Sequence, residues 1–290
     1  MGAALGPNRY GKSGIRVATV VRRSDGHDVA DRTVDVRLEG DFRAAHVDGD
    51  NASILPTDTM RGATYALAKE GLGEDLESFG LRLTEYLLGA SPAATRAEVT
   101  MSEQPWTRIV AGGAPHPHAF TRAAHRRTAW VTRVRDRIDA PDVLAGVEDL
   151  FVLKTTGSGF AGFLVDRYTT LPESGDRVLA TCISASWRYG RLGLDYPAQA
   201  EAIVRTVVET FAGHDSRSLQ HTLYAMGQAV LAACPDVGWV RFSLPNQHHV
   251  PVDLSPYGLE NAGEVFVVTD RPFGVIEGTV TRDASSEPGA

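Results

Sequence analysis

The fold is decided by residues 14–38, which read GIRVATVVRRSDGHDVADRTVDVRL. Residues 14–21 and 32–38 alternate apolar and polar side chains or run through β-branched ones, and the turn-forming Ser24-Asp25-Gly26 lies between them. This order predicts an antiparallel β-hairpin, because alternation places every second side chain on one face and Gly and Asp favour tight turns.

Two helices and further strands are predicted after the hairpin. The first helix opens at Thr57 and Asp58, both common N-cap residues, and the second carries Leu76, Phe79 and Leu83 at near-helical spacing. Strands return at residues 99–101, 106–110 and 128–138. The last strand carries several arginines, which could bind nucleic acid. Because the net charge of the chain is negative, we expect them instead to lie on a solvated or lumen-facing strand edge.

The same order of elements is repeated after Ala140-Pro141. Strands at 150–155 and 178–187 precede a helix at 198–211 and a second helix with an apolar stripe that begins at Leu219, and strands follow at 238–244, 248–254, 265–269 and 275–281. We therefore predict an α+β fold of two tandem ββααββ-like units with antiparallel sheets and paired helices on one side. The units span residues 8–142 and 143–282, and a polar tail follows at 283–290.

Composition indicates an ordinary soluble globular protein. The chain has 290 residues, of which 43% are apolar and 22% charged, and its net charge of −7 disfavours nucleic acid and anionic membranes as partners. No export signal and no apolar run long enough to span a membrane are visible. Cys182 and Cys234 have no Cys-x-x-Cys spacing, so neither a disulfide framework nor a thiolate zinc site is indicated, and we expect a reducing cytoplasm.

Lysine is rare in this chain. Only Lys12, Lys69 and Lys154 stand among the 29 basic residues, and the rest are arginines. A GC-rich genome explains that bias. Each remaining lysine is then a candidate for chemistry that arginine cannot perform, because a desolvated amine can lose its proton near neutral pH.

A glycine-rich motif, Gly157-Ser158-Gly159-Phe160-Ala161-Gly162, matches the G-x-G-x-x-G pattern of dinucleotide-binding loops. The residues after it are aromatic and β-branched and run into Pro172, so no helix N-terminus is available to hold a pyrophosphate. We expect a flexible bend near a ligand instead.

Two histidine pairs could indicate a metal site, but structural or acid–base roles are the favoured interpretation. His116 with His118 and His248 with His249 lack any His-Glu-x-x-His companion, and neighbouring residues of a strand point to opposite faces. Asn246 and His248, by contrast, share a face of a regular strand. We predict no metal ligands.

Arg177 and Gln220 each allow two interpretations. Arg177 follows Asp176, which indicates a plain ion pair, and Gln220 begins a helix, where it would be an exposed first-turn residue. Together, a guanidinium and an amide can each bond two edges of a planar heterocycle, and Phe160 can cover the face of such a ring. Sequence spacing does not decide whether these groups meet.

Long motifs, dispersed from about residue 9 to residue 282, resemble the urate oxidase (uricase) family. They are Tyr10-Gly11-Lys12 before Ile15-Arg16-Val17, Thr57-Asp58-Thr59, Lys154-Thr155-Thr156 through Phe160 to Tyr168-Thr169-Thr170-Leu171, Asp176-Arg177-Val178-Leu179-Ala180-Thr181, Ser243-Leu244-Pro245-Asn246-Gln247-His248-His249, and the ending Glu264-Val265-Phe266 with Asp270-Arg271-Pro272-Phe273-Gly274-Val275-Ile276-Glu277.

The resemblance implies the tunnelling fold, in which dimers close a barrel and stack into a homotetramer around a central tunnel, with active sites shared between subunits. It also implies that urate is oxidised by dioxygen and water to 5-hydroxyisourate and hydrogen peroxide without a metal, flavin or other cofactor. Relatives in eukaryotes carry a peroxisomal ending, whereas this chain ends Pro288-Gly289-Ala290, which favours a bacterial cytoplasm.

The resemblance assigns the site residues as follows. Lys12, Thr57 and His248 form the catalytic proton relay. Arg177 and Gln220 grip the purine edge, Phe160 stacks on the ring, Leu219 offers its backbone N–H, Asn246 with Thr57 holds dioxygen, peroxide or water, and Asp58 lies beside the dyad of Lys12 and Thr57.

Some positions depart from the family pattern, and none of them removes a proposed catalytic side chain. They are Gln247, Arg61-Gly62, Cys182 and Leu219. Two alternatives of other classes stay open at this point: a metal-dependent purine or pterin hydrolase of the same fold, and a non-catalytic purine-binding scaffold. Retained zinc without oxygen consumption would favour the hydrolase, and binding without turnover would favour the scaffold.

Overall fold

Antiparallel pairing organises the chain into two units, each described here by itself. The computed structural model describes residues 3–282, so the predicted tail at 283–290 lies outside the described residues. The first unit runs to Gly146 and adds Leu192–Pro197, and the second contains Val147–Arg191 and the chain from Ala198 onward. Compactness alone does not test a tandem repeat, so the repeat limits at 8–142 and 143–282 stay a prediction.

The first unit contains the predicted hairpin, two long helices and the strands that return after them. Its elements are β1 (Arg9–Arg22), β2 (His27–Gly40), α1 (Arg43–Val47), α2 (Thr57–Glu70), α3 (Leu76–Ala90), β3 (Ala94–Glu103), β4 (Trp106–Ala111), β5 (Ala114–Arg122), β6 (Arg126–Val134) and the beginning of β7 (Asp142–Lys154). The strand order is β1-β2-β3-β6-β7, and β4 and β5 form a separate hairpin. The pairs β1–β2, β2–β3 and β3–β6 are antiparallel.

The core of this unit lies between β2, which buries every second side chain, and α3, where a glycine allows close packing on the sheet. Val34, Val36 and Leu38 are fully buried, one on every second position of β2. On α3, a Cβ added to Gly80 would lie 2.6 Å from the end of Met101 on β3, so glycine lets the helix approach the sheet. The predicted α+β arrangement of antiparallel strands with helices packed on them is confirmed for this unit.

The second unit repeats the sequence of strands, two helices and strands. It contains the rest of β7, then β8 (Leu179–Tyr189), α4 (Tyr196–Gly213) from Ala198 onward, α5 (Leu219–Ala233), β9 (Val237–Pro251) and β10 (Phe266–Thr281), with the strand order β7-β8-β9-β10. Trp187 and Phe242 are fully buried in its core. Among residues 3–282, no helix combines the length and the apolar character needed to cross a bilayer.

Several predicted boundaries were wrong in an informative way. The segments predicted as separate strands at 238–244 and 248–254 form the single strand β9, and those at 265–269 and 275–281 form β10. The N-cap of α2 is Pro56, without a side-chain cap bond, so Thr57 is the first helical residue and its hydroxyl does not cap the helix. Helix α1 and strand β5 were not predicted.

The arginines predicted on a solvated or lumen-facing strand edge differ in their surroundings: Arg137 is exposed, whereas Arg133 is buried and Arg135 binds backbone carbonyls. The strand stops at Val134, and Nε of Arg135 donates to the carbonyl of Ala94 at 2.7 Å while its Nη2 donates to those of Leu88 and Ser91 at 2.8 and 2.9 Å. Carbonyls in the last turn of a helix lack intrahelical donors, so Arg135 stabilises the end of α3.

Gly62, one of the departures from the family pattern, makes a clear stability prediction. It lies inside α2, and a Cβ added there meets no other atom within 4 Å. Gly62→Ala should therefore raise the free energy of unfolding by about 0.5–1 kcal/mol, because alanine loses less backbone entropy in a helix. Urea unfolding measures the change. Gly227→Ala on α5 is the control, since its Cβ would lie 2.4 Å from Val280, and it should destabilise.

Candidate functional site

Lys12 lies on β1 at a bulge. The pairing of β1 with β2 slips just after it, where Gly14 adopts a left-handed backbone (φ +67°) and donates its N–H to Oδ1 of Asp35 at 2.6 Å. A Cβ on Gly11 would lie 1.9 Å from the carbonyl oxygen of Val36, so the position before Lys12 requires glycine. Bulges redirect side chains and are common beside active sites. Within residues 3–282, the half-buried Lys12 ammonium has no ion pair and no hydrogen bond.

A tyrosine hydroxyl ties β1 to the segment before α2. Oη of Tyr10 accepts the backbone N–H of Leu55 at 2.9 Å, and the ring of Tyr10 packs edge-on against Phe42 with the centroids 4.8 Å apart. Burial raises the pKa of Tyr10, so the hydroxyl stays protonated. This hydrogen bond attaches Leu55, two residues before Thr57, to β1, the strand that carries Lys12.

Thr57 and Asp58 stand at the first turn of α2, and α2 packs against β1. Thr57 is half-buried, and its hydroxyl has no hydrogen-bond partner in the described part of the chain. Asp58 is exposed and pairs with Arg61 at 2.6 Å. The first unit therefore presents an amine and a hydroxyl with unused hydrogen-bonding capacity, and both are held by the same strand–helix contact.

The second unit contains a cavity of about 540 Å³. Its lining includes four residues that the sequence singled out: Phe160, Arg177, Asn246 and His248. They come from two segments far apart in sequence, a loop region around residues 155–178 and the end of β9. The predicted heterocycle-binding groups Phe160 and Arg177 do meet here.

The loop region is built as a short two-stranded bridge. The N–H of Phe160 donates to the carbonyl of Ser174 at 2.7 Å, and the N–H of Ser174 returns a bond to Phe160 at 3.0 Å. The glycine-rich motif forms this bend, with left-handed backbone at Gly157 (φ +71°) and Gly162 (φ +69°), and no helix follows it. The prediction of a bend instead of a pyrophosphate loop is confirmed.

Arg177 lies against the aromatic side chain. Its guanidinium carbon is 5.1 Å from the ring centroid of Phe160, and the ring of Phe163 stacks on Phe160 at 4.9 Å. Nε of Arg177 is buried and has no hydrogen-bond partner among the described residues. Burial lowers the pKa of Arg177, but a guanidinium remains charged at any physiological pH. A buried cationic donor without a partner is suited to an anionic planar ligand.

Asn246 and His248 lie on β9 opposite an irregular stretch of β10. Asn246 pairs with Gly274 and His248 with Thr269, so β10 has a bulge between those two contacts. Because β9 is continuous here, residues two apart share a face, as the sequence predicted. Both side chains are half-buried at the cavity wall.

Leu219 and Gln220 begin α5 and are not part of the cavity lining. Leu219 is buried, whereas Gln220 is exposed. Ser218 is the N-cap and accepts the N–H of His221, so the N–H of Leu219 is among the first-turn donors that have no intrahelical acceptor. The chain before this helix pairs with the loop that carries Phe160, because the N–H of Gly159 donates to Ser216 at 2.8 Å.

The remaining candidate side chains are the histidines, the two cysteines and Lys154. In the described ranges, no group of three or more His, Cys, Asp or Glu side chains could hold a metal ion. Cys182 and Cys234 are free thiols, and burial raises the pKa of both. Lys154 has a structural contact: its Nζ donates to the carbonyl of His214 at 2.5 Å.

The sequence missed the role of Asp176. An ion pair with Arg177 was the simpler interpretation, but within residues 3–282 the two side chains form none. The carboxylate of Asp176 instead accepts the hydroxyl of Thr156 at 2.5 Å and the N–H of Ser158 at 3.0 Å. These bonds, the first above all, lower the pKa of Asp176. The available signal was the Thr-x-Ser spacing of Thr156 and Ser158, which spans the start of the glycine-rich motif.

Known proteins resemble the chain along its whole length. A model of the uricase family matches residues 8–132 and 143–277. The uricase of Arthrobacter globiformis is 40% identical over 281 residues, covering 97% of this chain and 91% of that protein. The uricase of Dictyostelium discoideum is 38% identical over 286 residues, covering 98% and 99%. The crystal structure of the Arthrobacter uricase aligns with a TM-score of 0.93 at 39% identity, covering 100% of this chain and 98% of that one.

Proposed function

Because this chain belongs to the uricase family and is an oxidoreductase that acts on urate, we propose that it converts urate, dioxygen and water to 5-hydroxyisourate and hydrogen peroxide without a metal or organic cofactor. An oxygen atom of water enters the purine as a hydroxyl group, and two electrons and two protons pass to dioxygen. The observation that carries the proposal is the cavity in which the buried, unpartnered Nε of Arg177 lies beside Phe160.

Urate binds in this proposal through its edges and its face. Arg177 and Gln220 donate to the purine edge, and the N–H of Leu219 adds a backbone donor. Phe160 stacks on the ring, and an aromatic–heterocycle stack of this kind contributes about 1 kcal/mol beyond simple burial. Asn246, with Thr57, holds dioxygen, peroxide or water above the ring plane.

Proton transfer comes first in the proposed reaction, because urate must lose a second proton before it can give an electron to dioxygen. Lys12 receives that proton through the hydroxyl of Thr57, and His248 completes the relay. The unused donors and acceptors of Lys12 and Thr57 support these roles. Asp58 lies beside the dyad in the same subunit, next to Thr57 in the first turn of α2.

The proposed assembly is a homotetramer with barrels and a central tunnel, in which the first unit of one subunit completes the cavity of another. Lys12, Thr57 and Asp58 belong to the first unit, whereas Phe160, Arg177, Asn246 and His248 belong to the second. Sharing between subunits brings these two sets together. The free thiols of Cys182 and Cys234 accord with the reducing cytoplasm in which we place the enzyme.

Turnover by metal-stripped protein tests the chemistry. Protein dialysed against a chelator should consume urate, measured by the loss of its ultraviolet absorbance, and release one hydrogen peroxide and consume one dioxygen per urate. Protein reloaded with zinc is the control and should be no faster. Activity that appears only after a metal is added, or urate loss without oxygen consumption, would contradict the proposal.

A further inference from the structure

The three segments that carry Phe160, Arg177 and Gln220 are joined by one set of hydrogen bonds, which we call the bracing network: Thr156, Ser158, Asp176, Ser216 and Thr222. Phe160 and Arg177 lie on short, irregular segments, and Gln220 lies at the start of α5, so secondary structure alone does not fix the three segments to one another. The relative placement of the three substrate-binding side chains therefore depends on the bonds between the segments.

Asp176 joins the first two segments. Its carboxylate accepts the hydroxyl of Thr156 and the N–H of Ser158, and the carbonyl of Ser158 accepts the N–H of Arg177 at 2.7 Å. The N–H of Ser158 is therefore bound to Asp176 and its carbonyl to Arg177, and these two bonds attach the segment of Phe160 to the segment of Arg177. Asp176 is exposed to solvent, but bonds to an ionised acceptor are stronger than neutral ones.

Ser216 joins the third segment to the first. The backbones of Ser216 and the glycine-rich loop exchange two bonds, with Gly157 accepting at 2.9 Å and Gly159 donating at 2.8 Å. The hydroxyl of Thr222 on α5 donates to Oγ of Ser216 at 2.7 Å, and that Oγ donates to the carbonyl of Ser218 at 3.0 Å. Ser216 and Thr222 are 1% and 0% exposed, so this hydroxyl pair lies in the interior.

We propose that Asp176 and the Ser216–Thr222 hydroxyl pair are positioning residues, which hold Phe160, Arg177 and the Leu219–Gln220 turn in the geometry that grips the purine. This inference rests on the proposed roles of those side chains. No hydrogen bond of the network reaches Lys12, Thr57 or His248, so we expect it to act on substrate binding and to leave the proton relay intact. Its loss should raise KM and the dissociation constant of urate and leave kcat nearly unchanged, as expected when uniform binding is removed.

Urate itself, under strictly anaerobic conditions, is the probe, because without dioxygen it binds but does not react. Asp176→Asn keeps the size of the side chain but removes its charge, so the bond from Ser158 loses its ionised acceptor and the bond with Thr156 survives only with the amide as donor. We expect its urate dissociation constant and KM to rise about tenfold. Thr156→Val removes only the hydroxyl donor and should give a rise of about threefold. In both variants kcat should stay within about twofold of the wild type.

Asp236→Asn is the matched control. It also removes one carboxylate from the second unit, where Asp236 pairs with Arg191 at 2.7 Å, outside the cavity lining. Its urate affinity should equal that of the wild type. If Asp176→Asn does not fold, the urate dissociation constants and KM values of Thr156→Val and Ser216→Ala test the positioning role instead.

The outcomes separate this inference from the proposed function. Wild-type protein that fails to bind urate contradicts the proposed function. Wild-type protein that binds urate, together with folded Asp176→Asn and Thr156→Val variants of unchanged affinity, overturns the positioning role alone. A fall in kcat at constant KM would also overturn it, since that result would place the network in the chemistry of the reaction.

Discussion

Lys12→Met should lower turnover by about a thousandfold and leave urate binding nearly unchanged. Methionine has almost the length of lysine but cannot accept a proton, and general acid–base groups of this kind contribute about 10²–10⁴-fold to the rate. The bulge on β1 is formed by the backbone at Gly11 and Gly14, so the substitution does not disturb it. Steady-state oxidation of urate measures the turnover, and anaerobic urate binding measures the affinity.

Lys69 supplies the control for this prediction. It is an exposed lysine in the last turn of α2, on the helix that carries Thr57, so Lys69→Met changes the net charge of the same unit by the same amount. Its turnover should equal that of the wild type. Turnover by Lys12→Met within about twofold of the wild type would remove Lys12 from the mechanism.

Hybrid assemblies extend the test to the sharing of sites between subunits. Arg177→Gln should also be nearly inactive, because it removes the buried charged donor. When Lys12→Met and Arg177→Gln chains are co-expressed, hybrid oligomers contain some sites with both wild-type groups if each site takes Lys12 from one subunit and Arg177 from another. Activity should then reappear. Two inactive chains that stay inactive together, in oligomers shown to be mixed, would place both groups in one subunit.

Local patterns predicted the elements of the fold well because their physical causes are local. The alternation on β2 is a property of one strand, and burial of Val34, Val36 and Leu38 follows from it. The helices α2 and α5 begin at Thr57 and Leu219, where the sequence pattern placed them, although the N-cap of α2 is Pro56 and not Thr57. The strands β9 and β10 were divided in the prediction because prolines interrupt their alternation, yet pairing between the two strands carries them through.

Long-range partners were the part that the sequence alone could not supply. Tyr10 and Leu55 are 45 residues apart, and nothing in either segment indicates their bond. Asp176 shows the same limit, since an adjacent arginine suggested an ion pair while Thr156, twenty residues earlier, is the actual partner. The site roles of Lys12, Thr57 and Gln220 came from resemblance to a family and not from spacing, and they stay predictions.

Arg127→Met should destabilise the protein by about 3–5 kcal/mol at neutral pH, because it leaves a buried carboxylate without its partner. Oε1 of Glu77, at the first turn of α3, accepts from Nη2 of Arg127 at 2.6 Å, and the Glu77 side chain is fully buried. Burial raises the pKa of Glu77 even with Arg127 present, and removing the cation raises it further. Urea unfolding of the variant and of the wild type measures the difference.

The pH dependence gives this prediction its sign. A carboxyl group whose pKa is raised in the folded state contributes stability that is present below its unfolded pKa of about 4.3 and is lost as the pH rises through the folded pKa. The deficit of Arg127→Met should therefore shrink as the pH falls from 7 through the raised folded pKa of Glu77, where the carboxyl group takes up a proton. Arg127→Met combined with Glu77→Gln should recover most of the loss at pH 7, since no buried charge then remains.

An exposed ion pair provides the comparison that separates burial from pairing. Arg16 contacts Asp31 at 2.5 Å, but the Arg16 side chain is 66% exposed, so Arg16→Met should cost no more than about 1 kcal/mol. Equal losses for Arg16→Met and Arg127→Met would mean that both pairs act through simple attraction. A pH-independent deficit in Arg127→Met would mean that lost packing, and not the orphaned charge of Glu77, causes it. The expected pattern, a large loss that protonation relieves, assigns the cost to an ion deprived of both water and its counter-ion.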